Sequence, residues 1–243
     1  MTGRPRVAVF RPDDERLENA VELLESLGVE PVADPMLAVE PTAARPRSDA
    51  DVVILTSKTG ADCLPSDWTA GAATLCAIGE PTAAALEEAG WSVDLVPETY
   101  SSRGLVEALS NRVDGRRVEI ARSDHGSPVL TDGLDDAGAY HHETVLYRLV
   151  RPRSAGRSVE AAAARELAAA LFTSSLTVEH FLEAAGGQGR RAEAIAGLDA
   201  AVVGAIGDPT ARTAETNGLS VDVIPDTASF EALARTAVRR LEE

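Results

Sequence analysis

Short apolar runs alternate with segments of helical periodicity along almost the whole chain. The elements predicted for its first half are strand 6–10, helix 14–27, strand 29–33, strand 52–56, a short helix, strand 74–78, a helix that begins at Pro81 and ends at Gly90, strand 93–96 and helix 102–112. Strands that alternate with helices in this way are typical of a parallel α/β architecture.

An internal duplication organises the sequence. Residues 77–101 match residues 205–229 at an offset of 128, and fourteen of the twenty-five positions are identical. Shorter matches at offsets of 117 and 111 extend the duplication over most of the chain. The resulting order is segment A (6–41), segment B (51–112), a second A (117–152) and a second B (169–240).

Each segment is too short to form a good core alone, so the segments must combine. We predict two similar doubly wound parallel sheets of about five strands each. The offsets leave two combinations open: sequential domains, or a crossed arrangement in which the first A completes the second B. The crossed arrangement would pass the chain between lobes near 36–41 and 147–152, which both look extended and end in proline.

Small polar residues follow the predicted strands, where helix amino termini offer unpaired N–H groups in open parallel sheets. Carboxylates and phosphates are natural ligands for such positions. The candidate binding residues at these strand ends are Thr56, Ser57, Gly79, Thr82, Thr173, Ser174, Gly207 and Thr210. Helix capping requires the same residue types, so the pattern alone leaves binding and capping open.

Three cationic residues and one tyrosine add to the candidate site. Arg11 and Arg122 occupy equivalent strand ends, where a guanidinium could bind a carboxylate. Lys58 is the only lysine of the chain and directly follows Ser57. Tyr147 lies in the second crossing stretch, and solvated surface cations and a packed aromatic ring are the alternatives for these four positions.

Other chemistries have little support in the sequence. Adjacent His141 and His142 would face opposite sides of a strand, so no metal site is predicted. The glycines at 186–189 follow a helix, and phosphate-binding and nucleophile-elbow motifs are missing. Cys63 and Cys76 are expected to be free thiols. No apolar window is long enough for a membrane span, and we expect a cytoplasmic protein.

An ordered set of short motifs resembles one known family. The motifs are Val9-Phe10-Arg11-Pro12, Leu55-Thr56-Ser57, Ala77-Ile78-Gly79 with Thr82-Ala83, Val93-Asp94-Leu95-Val96-Pro97, Val145-Leu146-Tyr147, Phe172-Thr173-Ser174, and Ala205-Ile206-Gly207 with Thr210-Ala211. In order and spacing they are similar to uroporphyrinogen-III synthase. The Arg- and Ala-rich stretch 153–168 matches no part of this pattern.

The resemblance implies the crossed arrangement, with the site in a cleft between two α/β domains joined by a two-stranded linker. One domain would comprise 1–35 and 153–243, the other 42–146, and the linker strands 36–41 and 147–152. The N-terminal segment would then complete the C-terminal domain.

The implied reaction converts hydroxymethylbilane to uroporphyrinogen III without a cofactor, losing water and inverting ring D. Tyr147 would assist departure of the hydroxyl, and the strand-end residues, the two arginines and Lys58 would bind the eight carboxylates of the tetrapyrrole. The expected protein is a monomer that receives its substrate from hydroxymethylbilane synthase and binds neither nucleic acid nor membrane. A non-catalytic bilobed binding or sensor protein for an anionic small molecule is the alternative.

The charge balance adds a condition to this interpretation. Acidic residues outnumber basic ones by 39 to 23, giving a formal net charge of −16, and all but one of the basic residues are arginines. Such a field disfavours nucleic acid and would also repel an octacarboxylate substrate. At about 1 M ionic strength the Debye length is about 3 Å, which removes this long-range repulsion. The haloarchaeal-like composition therefore suggests a salt-rich cytoplasm.

We expect the free energy of unfolding to rise from dilute buffer to about 2 M KCl, because salt screens the repulsion among surface carboxylates. Urea unfolding at a series of KCl concentrations measures this dependence. Maximal stability in dilute buffer would contradict the interpretation of the composition.

Overall fold

The fold consists of two compact units, each built on its own sheet. A computed structural model describes residues 3–243. Unit 1 comprises the chain up to Ala38 together with Val150–Glu243, and unit 2 comprises Val39–Leu149. The first two residues of the predicted domain 1–35 lie outside the described part. The exact domain and linker boundaries stay predictions.

The order of elements follows the alternation of apolar runs and helical patterns. The strands are β1 (Arg6–Phe10), β2 (Glu30–Ala33), β3 (Ala38–Pro41), β4 (Val52–Leu55), β5 (Thr74–Ala77), β6 (Arg117–Ser123), β7 (Tyr140–Val150), β8 (Ala169–Phe172) and β9 (Val202–Ala205). The helices are α1 (Glu15–Ser26), α2 (Lys58–Asp62), α3 (Glu80–Glu88), α4 (Ser102–Leu109), α5 (Pro128–Asp136), α6 (Arg157–Ala163), α7 (Ser175–Gly187), α8 (Arg191–Leu198), α9 (Asp208–Thr216) and α10 (Phe230–Leu241). Within residues 3–243, no helix is both long enough and apolar enough to span a bilayer.

The sheet of unit 1 has the order β2-β1-β8-β9, and all of its pairings are parallel. Strands from the start of the chain therefore pair with strands from its second half. The central strand β1 alternates between two cores: Val7 and Val9 face one, and Ala8 and Phe10 face the other. Phe10 stacks on Phe172 with ring centroids 4.7 Å apart, which fixes the pairing of β1 with β8 on this face.

The sheet of unit 2 has the order β3-β7-β6-β4-β5. Its β4 strand is buried along its whole length, as expected for an inner strand of a parallel sheet. Trp68 packs edge-on against Trp91 at a centroid distance of 6.0 Å, and its indole N–H donates to the carbonyl of Pro46. Side chains of α2 and α3 pack on one face of this sheet and those of α4 and α5 on the other, so the predicted α/β class is confirmed.

The strand predicted at 93–96 does not form, and neither does its duplicate. Only isolated bridges occur there, at Leu95 and at Val223. The Asp94 carboxylate accepts a 2.8 Å hydrogen bond from the Leu75 N–H, and Asp222 does the same for Val203. An aspartate side chain thus takes the place of a backbone carbonyl at the sheet edge. The sheet of unit 1 consequently has four regular strands and that of unit 2 has five, where about five each were predicted.

Two other boundaries differ from the sequence-based expectation. The helix predicted at 102–112 ends at Leu109, where the Ser110 hydroxyl donates to the carbonyl of Glu107 and competes with the helical pattern. The stretch 147–152 begins inside β7, which runs on to Val150 beside β3.

Both cysteines are free thiols, as the sequence predicts. Cys76 lies in β5 and is fully buried. Burial, assisted by the negative charge of Asp94, raises the pKa of the Cys76 thiol to about 12. Neither redox nor nucleophilic chemistry is favoured at a thiol that stays protonated at neutral pH.

A buried carboxylate anchors the stretch 153–168. Asp34 is fully buried and follows β2, and its two oxygens accept hydrogen bonds from the N–H groups of Gly156 and Ser158, at 2.9 and 2.8 Å. The Ser158 hydroxyl donates to the same carboxylate. These contacts hold the start of α6, where Gly156 has a φ of 111° that favours glycine. The segment that matched no family pattern therefore has a defined structural attachment.

Replacing Asp34 with alanine should lower the free energy of unfolding by about 3 kcal/mol, because it leaves three buried donors without an acceptor. Urea unfolding followed by far-ultraviolet circular dichroism measures the loss. The matched control is Asp14→Ala, which removes the exposed N-cap carboxylate of α1 and should cost about 1 kcal/mol. Equal losses in the two variants would contradict the anchoring role.

Candidate functional site

Unit 2 brings a serine and a tyrosine together at the carboxyl edge of its sheet. Ser57 follows β4 and is the N-cap of α2, and its Oγ accepts a 2.9 Å hydrogen bond from the Gly60 N–H. The hydroxyl oxygen of Tyr147, on β7, lies 3.0 Å from the same Oγ. The two strands are separated by β6, on which Ala121, with its small side chain, pairs with Leu55 at the end of β4. Two residues ninety positions apart thus share a hydrogen bond.

A break in strand register aims Tyr147 at this contact. The pairing of β6 with β7 runs evenly up to Arg122 and then shifts, so that Ser123 lies opposite Tyr147. Regular alternation would send Leu146 and Tyr147 to opposite faces, yet both pack in the same apolar cluster. A bulge of this type re-aims a side chain, and such bulges are common beside functional sites.

The second strand-end position of unit 2 is the start of α3. Gly79 occupies the N-cap position, where it has no side chain to cap the helix. Thr82 is buried in the first turn. The side chain of Tyr100 covers Gly79 so closely that a Cβ at position 79 would lie 2.9 Å from its ring. Any larger residue would displace Tyr100, whose own ring is largely exposed.

Thr56 and Lys58 flank Ser57 at this edge. Thr56 is half-buried, and Lys58 is the first residue of α2 and is exposed. Among the residues that the structure describes, Lys58 forms no ion pair. Its ammonium group is therefore available to a ligand carboxylate.

In unit 1 the equivalent strand end uses its hydroxyls differently. The Thr173 hydroxyl donates to the carbonyl of Phe10 at 2.7 Å. Ser174 forms a reciprocal capping box with Thr177 at the start of α7: each side chain accepts a 3.2 Å hydrogen bond from the backbone N–H of the other. Capping thus accounts for the contacts of Ser174 in this structure.

Gly207 and Thr210 form the counterpart of the Gly79 position in unit 1. Gly207 is the N-cap of α9 without a side-chain cap, and Thr210 is buried. A Cβ at position 207 would meet no atom nearer than 4.0 Å, in contrast to the covered Gly79. The start of α9 is therefore the less crowded of the two.

Arg11 lies across an aromatic ring at the end of β1. Its guanidinium carbon is 5.1 Å from the centroid of Phe230, and its buried Nε has no hydrogen-bond partner in the described structure. Burial, with the nearby charge of Arg16, lowers the pKa of the Arg11 guanidinium. Arg11 and Arg16 border a small cavity of about 270 Å³, so an anion in that cavity could bind Arg11.

Arg122 differs from Arg11 despite its equivalent position in the duplication. It is buried and forms an ion pair with Glu143 on β7, and its Nη1 donates to the carbonyl of Ser127 at 2.9 Å. These contacts neutralise the charge and occupy the guanidinium. The geometry therefore gives no support to the substrate-binding role predicted for Arg122.

The two adjacent histidines have separate partners. His142 contacts the fully buried carboxylate of Glu119 through Nδ1 at 2.8 Å, and His141 contacts Asp135 at 2.7 Å. The Thr144 hydroxyl also donates to Glu119. Within residues 3–243, no group of three or more metal-ligating side chains forms a candidate metal site.

Cavity size alone would point to the wrong edge of unit 2. Two cavities of unit 2, of about 580 and 500 Å³, are lined by residues near the amino ends of strands, including Thr74 in both and Asp51 in the second. Ligands of open parallel sheets bind at the carboxyl ends, where Ser57 and Tyr147 lie. Chemistry and strand polarity therefore both favour the edge at Ser57 and Tyr147 as the candidate site.

The sequence predicted Ser57 and Tyr147 as site residues, and the structure brings them into contact. The sequence did not predict three residues that contact the candidate positions. Gly60 supplies the N–H to Ser57, Tyr100 covers Gly79, and Glu143 neutralises Arg122. A signal for Gly60 does exist, since the offset of 117 aligns it with Thr177 and marks a difference between the copies. The sequence contains no comparable signal for Tyr100 or Glu143.

The architecture is similar to that of several solved enzymes. A uroporphyrinogen III synthase structure from Thermus thermophilus superposes with a TM-score of 0.63 at 21% identity, covering 98% of this chain and 99% of that one. The uroporphyrinogen-III synthetase of Helicobacter pylori gives a TM-score of 0.65 at 16% identity, with 98% and 99% coverage. The class of protein is therefore the two-domain α/β fold of these enzymes.

Sequence comparison identifies the family. The profile described as uroporphyrinogen-III synthase HemD matches residues 18–235. A protein of Methanothermobacter thermautotrophicus that is named as a candidate uroporphyrinogen-III synthase is 32% identical over 231 residues, covering 88% of this chain and 90% of its own length. The chain belongs to the uroporphyrinogen-III synthase family, whose members are cyclising lyases.

Proposed function

We propose that this chain converts hydroxymethylbilane to uroporphyrinogen III, with loss of one water and inversion of ring D, in tetrapyrrole biosynthesis. Membership of the family supports the proposal. The observation that carries it is the buried tyrosine hydroxyl of Tyr147, held by Ser57 at the carboxyl edge of the unit 2 sheet. The reaction needs one proton donor for a leaving hydroxyl and otherwise depends on substrate conformation.

Tyr147 is the proposed general acid. Its phenolic proton passes to the hydroxyl oxygen of the substrate, the carbon–oxygen bond breaks with its electron pair going to oxygen, and water leaves. The remaining azafulvene is electrophilic, and ring D attacks it through its substituted carbon, which gives a spiro intermediate. The bond from that carbon to the methylene bridge of ring C then breaks, and the azafulvene so formed on ring C is attacked by the unsubstituted carbon of ring D, which inverts the ring. The proton lost when the new pyrrole ring recovers its aromaticity balances the one that Tyr147 donated. General acid catalysis of this type contributes about 100-fold or more to a rate.

Positioning supplies the rest of the proposed mechanism, because the chain must favour attack by the substituted carbon of ring D over the unsubstituted one. Helix starts and hydroxyls are suited to hold propionate and acetate groups by charge-assisted hydrogen bonds. The proposed binding residues are Thr56, Lys58, Gly79, Thr82, Thr173, Ser174, Gly207, Thr210 and Arg11. We also propose that the protein acts as a cytoplasmic monomer without a cofactor, on substrate released by hydroxymethylbilane synthase.

Purified protein incubated with freshly prepared hydroxymethylbilane should yield the type III isomer. Chromatographic separation of the type I and type III products after oxidation measures the outcome, with a protein-free sample as the control for spontaneous cyclisation. Formation of only the type I isomer would refute the proposed function and favour the alternative of an anion-binding protein.

Tyr147→Phe should lower kcat by about 100-fold while leaving the fold intact, because it removes the acidic proton but keeps the packed ring. Initial rates of type III formation measure the effect, and circular dichroism checks the fold. The matched control is Tyr140→Phe, which changes a tyrosine that is 71% exposed and should leave the rate unchanged. A near-normal kcat for Tyr147→Phe would exclude Tyr147 as the acid.

A further inference from the structure

We infer that Ser57 is a positioning residue for the acid and acts through Tyr147, a role different from the substrate binding that its strand-end location suggests. The inference rests on the proposed function, since it assigns the direction of a proton within the same site. It follows from the hydrogen bonds at Ser57 and from a comparison of the two copies of the duplication.

The hydrogen bonds at Ser57 permit a direction that leaves the Tyr147 proton free for the substrate. A serine hydroxyl has one proton and two acceptor positions, and the Gly60 N–H occupies one acceptor position at 2.9 Å. If Ser57 donates its proton across the 3.0 Å contact, the phenolic oxygen of Tyr147 is the acceptor and its own proton stays free. If Tyr147 donated to Ser57 instead, the proton that the reaction requires would be engaged in that hydrogen bond.

We therefore assign the order Gly60 N–H to Ser57 hydroxyl to Tyr147 hydroxyl to the leaving oxygen of the substrate. Each hydroxyl in this series accepts one hydrogen bond and donates the next. Hydrogen bonds arranged in this way polarise one another in a poorly solvated site. Tyr147 is only 6% exposed, so bulk water competes little for its hydroxyl.

The other copy of the duplication shows what the same framework does without an acid. At the offset of 117, Ser174 corresponds to Ser57 and Thr177 to Gly60, and at the offset of 111, Met36 corresponds to Tyr147. In unit 1 the Ser174 and Thr177 side chains cap each other's backbone N–H groups, and Met36 is fully buried without a hydroxyl.

Two differences at Ser57 thus occur together in unit 2. Glycine at position 60 removes the side chain that would complete a capping box, and a Cβ there would lie 3.2 Å from the Ser57 Oγ. Tyrosine at position 147 supplies a new partner for the same oxygen. Together they point to a serine whose hydroxyl serves the tyrosine as well as the helix start.

The test is Ser57→Ala, measured as the rate of type III formation over a range of hydroxymethylbilane concentrations. We expect kcat to fall by about tenfold, in line with the loss of one hydrogen bond, with little change in KM. Ser57→Thr keeps a hydroxyl at the same atom and should restore most of kcat. A rise in KM at unchanged kcat would overturn the inference and return Ser57 to substrate binding.

The matched control is Ser101→Ala. Ser101 caps α4 in the same unit and accepts a 3.0 Å hydrogen bond from the Gly104 N–H, so the two serines share their spacing and capping role. Both variants should lose similar stability in thermal unfolding, and only Ser57→Ala should lose turnover. An equal loss of kcat in both variants would show that capping alone explains the effect.

A double-mutant cycle separates action through Tyr147 from independent action. In the Tyr147→Phe background, Ser57→Ala should produce no further loss of kcat, because the hydroxyl that Ser57 positions is already absent. A second tenfold loss would overturn the inference. If the wild-type protein forms only the type I isomer, the proposed function is refuted. That outcome is distinguishable from a failure of the inference about Ser57, in which the wild-type protein does form the type III isomer.

Discussion

Parallel pairing of the strands is the constraint on which both sheets depend. Because β4, β5, β6 and β7 pair in parallel, their carboxyl ends reach a single edge of the sheet. In unit 2 this arrangement places the end of β4 near the end of β7, although ninety residues separate Ser57 from Tyr147. The interior strands are buried on both faces, so their register cannot slip without exposing apolar side chains. The precise contact between two hydroxyls follows from this rigidity, together with the bulge that turns Tyr147.

A few carboxylates have structural tasks that the large acidic excess conceals. Asp34 holds the start of α6, Glu119 binds Thr144 and His142 inside unit 2, and Asp94 and Asp222 complete the edges of the two sheets. Each accepts hydrogen bonds from buried or half-buried donors, so removal would leave those donors unsatisfied. The remaining acids on the surface act through net charge and respond to salt, whereas these four respond to local geometry. Composition alone cannot separate the two groups, because what distinguishes them is the set of donors that each carboxylate contacts.

The sequence predicted the parts of the fold that repeat and missed the parts that depend on side-chain contacts. The duplication and the apolar runs identified β1, β4, β5, β8 and β9 within a residue or two, since short buried strands have a strong apolar signal. The stretch 93–96 has the same signal but forms only a bridge, and there the Asp94 carboxylate accepts the hydrogen bond of the Leu75 N–H in place of a backbone carbonyl. Position in the chain likewise placed Arg11 and Arg122 at equivalent strand ends. Only the structure shows that Glu143 pairs with Arg122, a partner twenty-one residues away whose identity no periodicity encodes.

The proposed mechanism gives the asymmetry between the two copies a chemical reason. A linear substrate with a single leaving hydroxyl needs one proton donor, and a second donor in the other unit would have no oxygen to protonate. Unit 1 accordingly carries methionine at the position of the acid: Met36 is fully buried, and its backbone carbonyl contacts Nδ1 of His180 at 2.6 Å. That contact holds the backbone in place without any use of the side chain. The duplication therefore supplies the same strand-end framework twice, and the two copies differ at Gly60 and Tyr147, the positions on which the proposed acid depends.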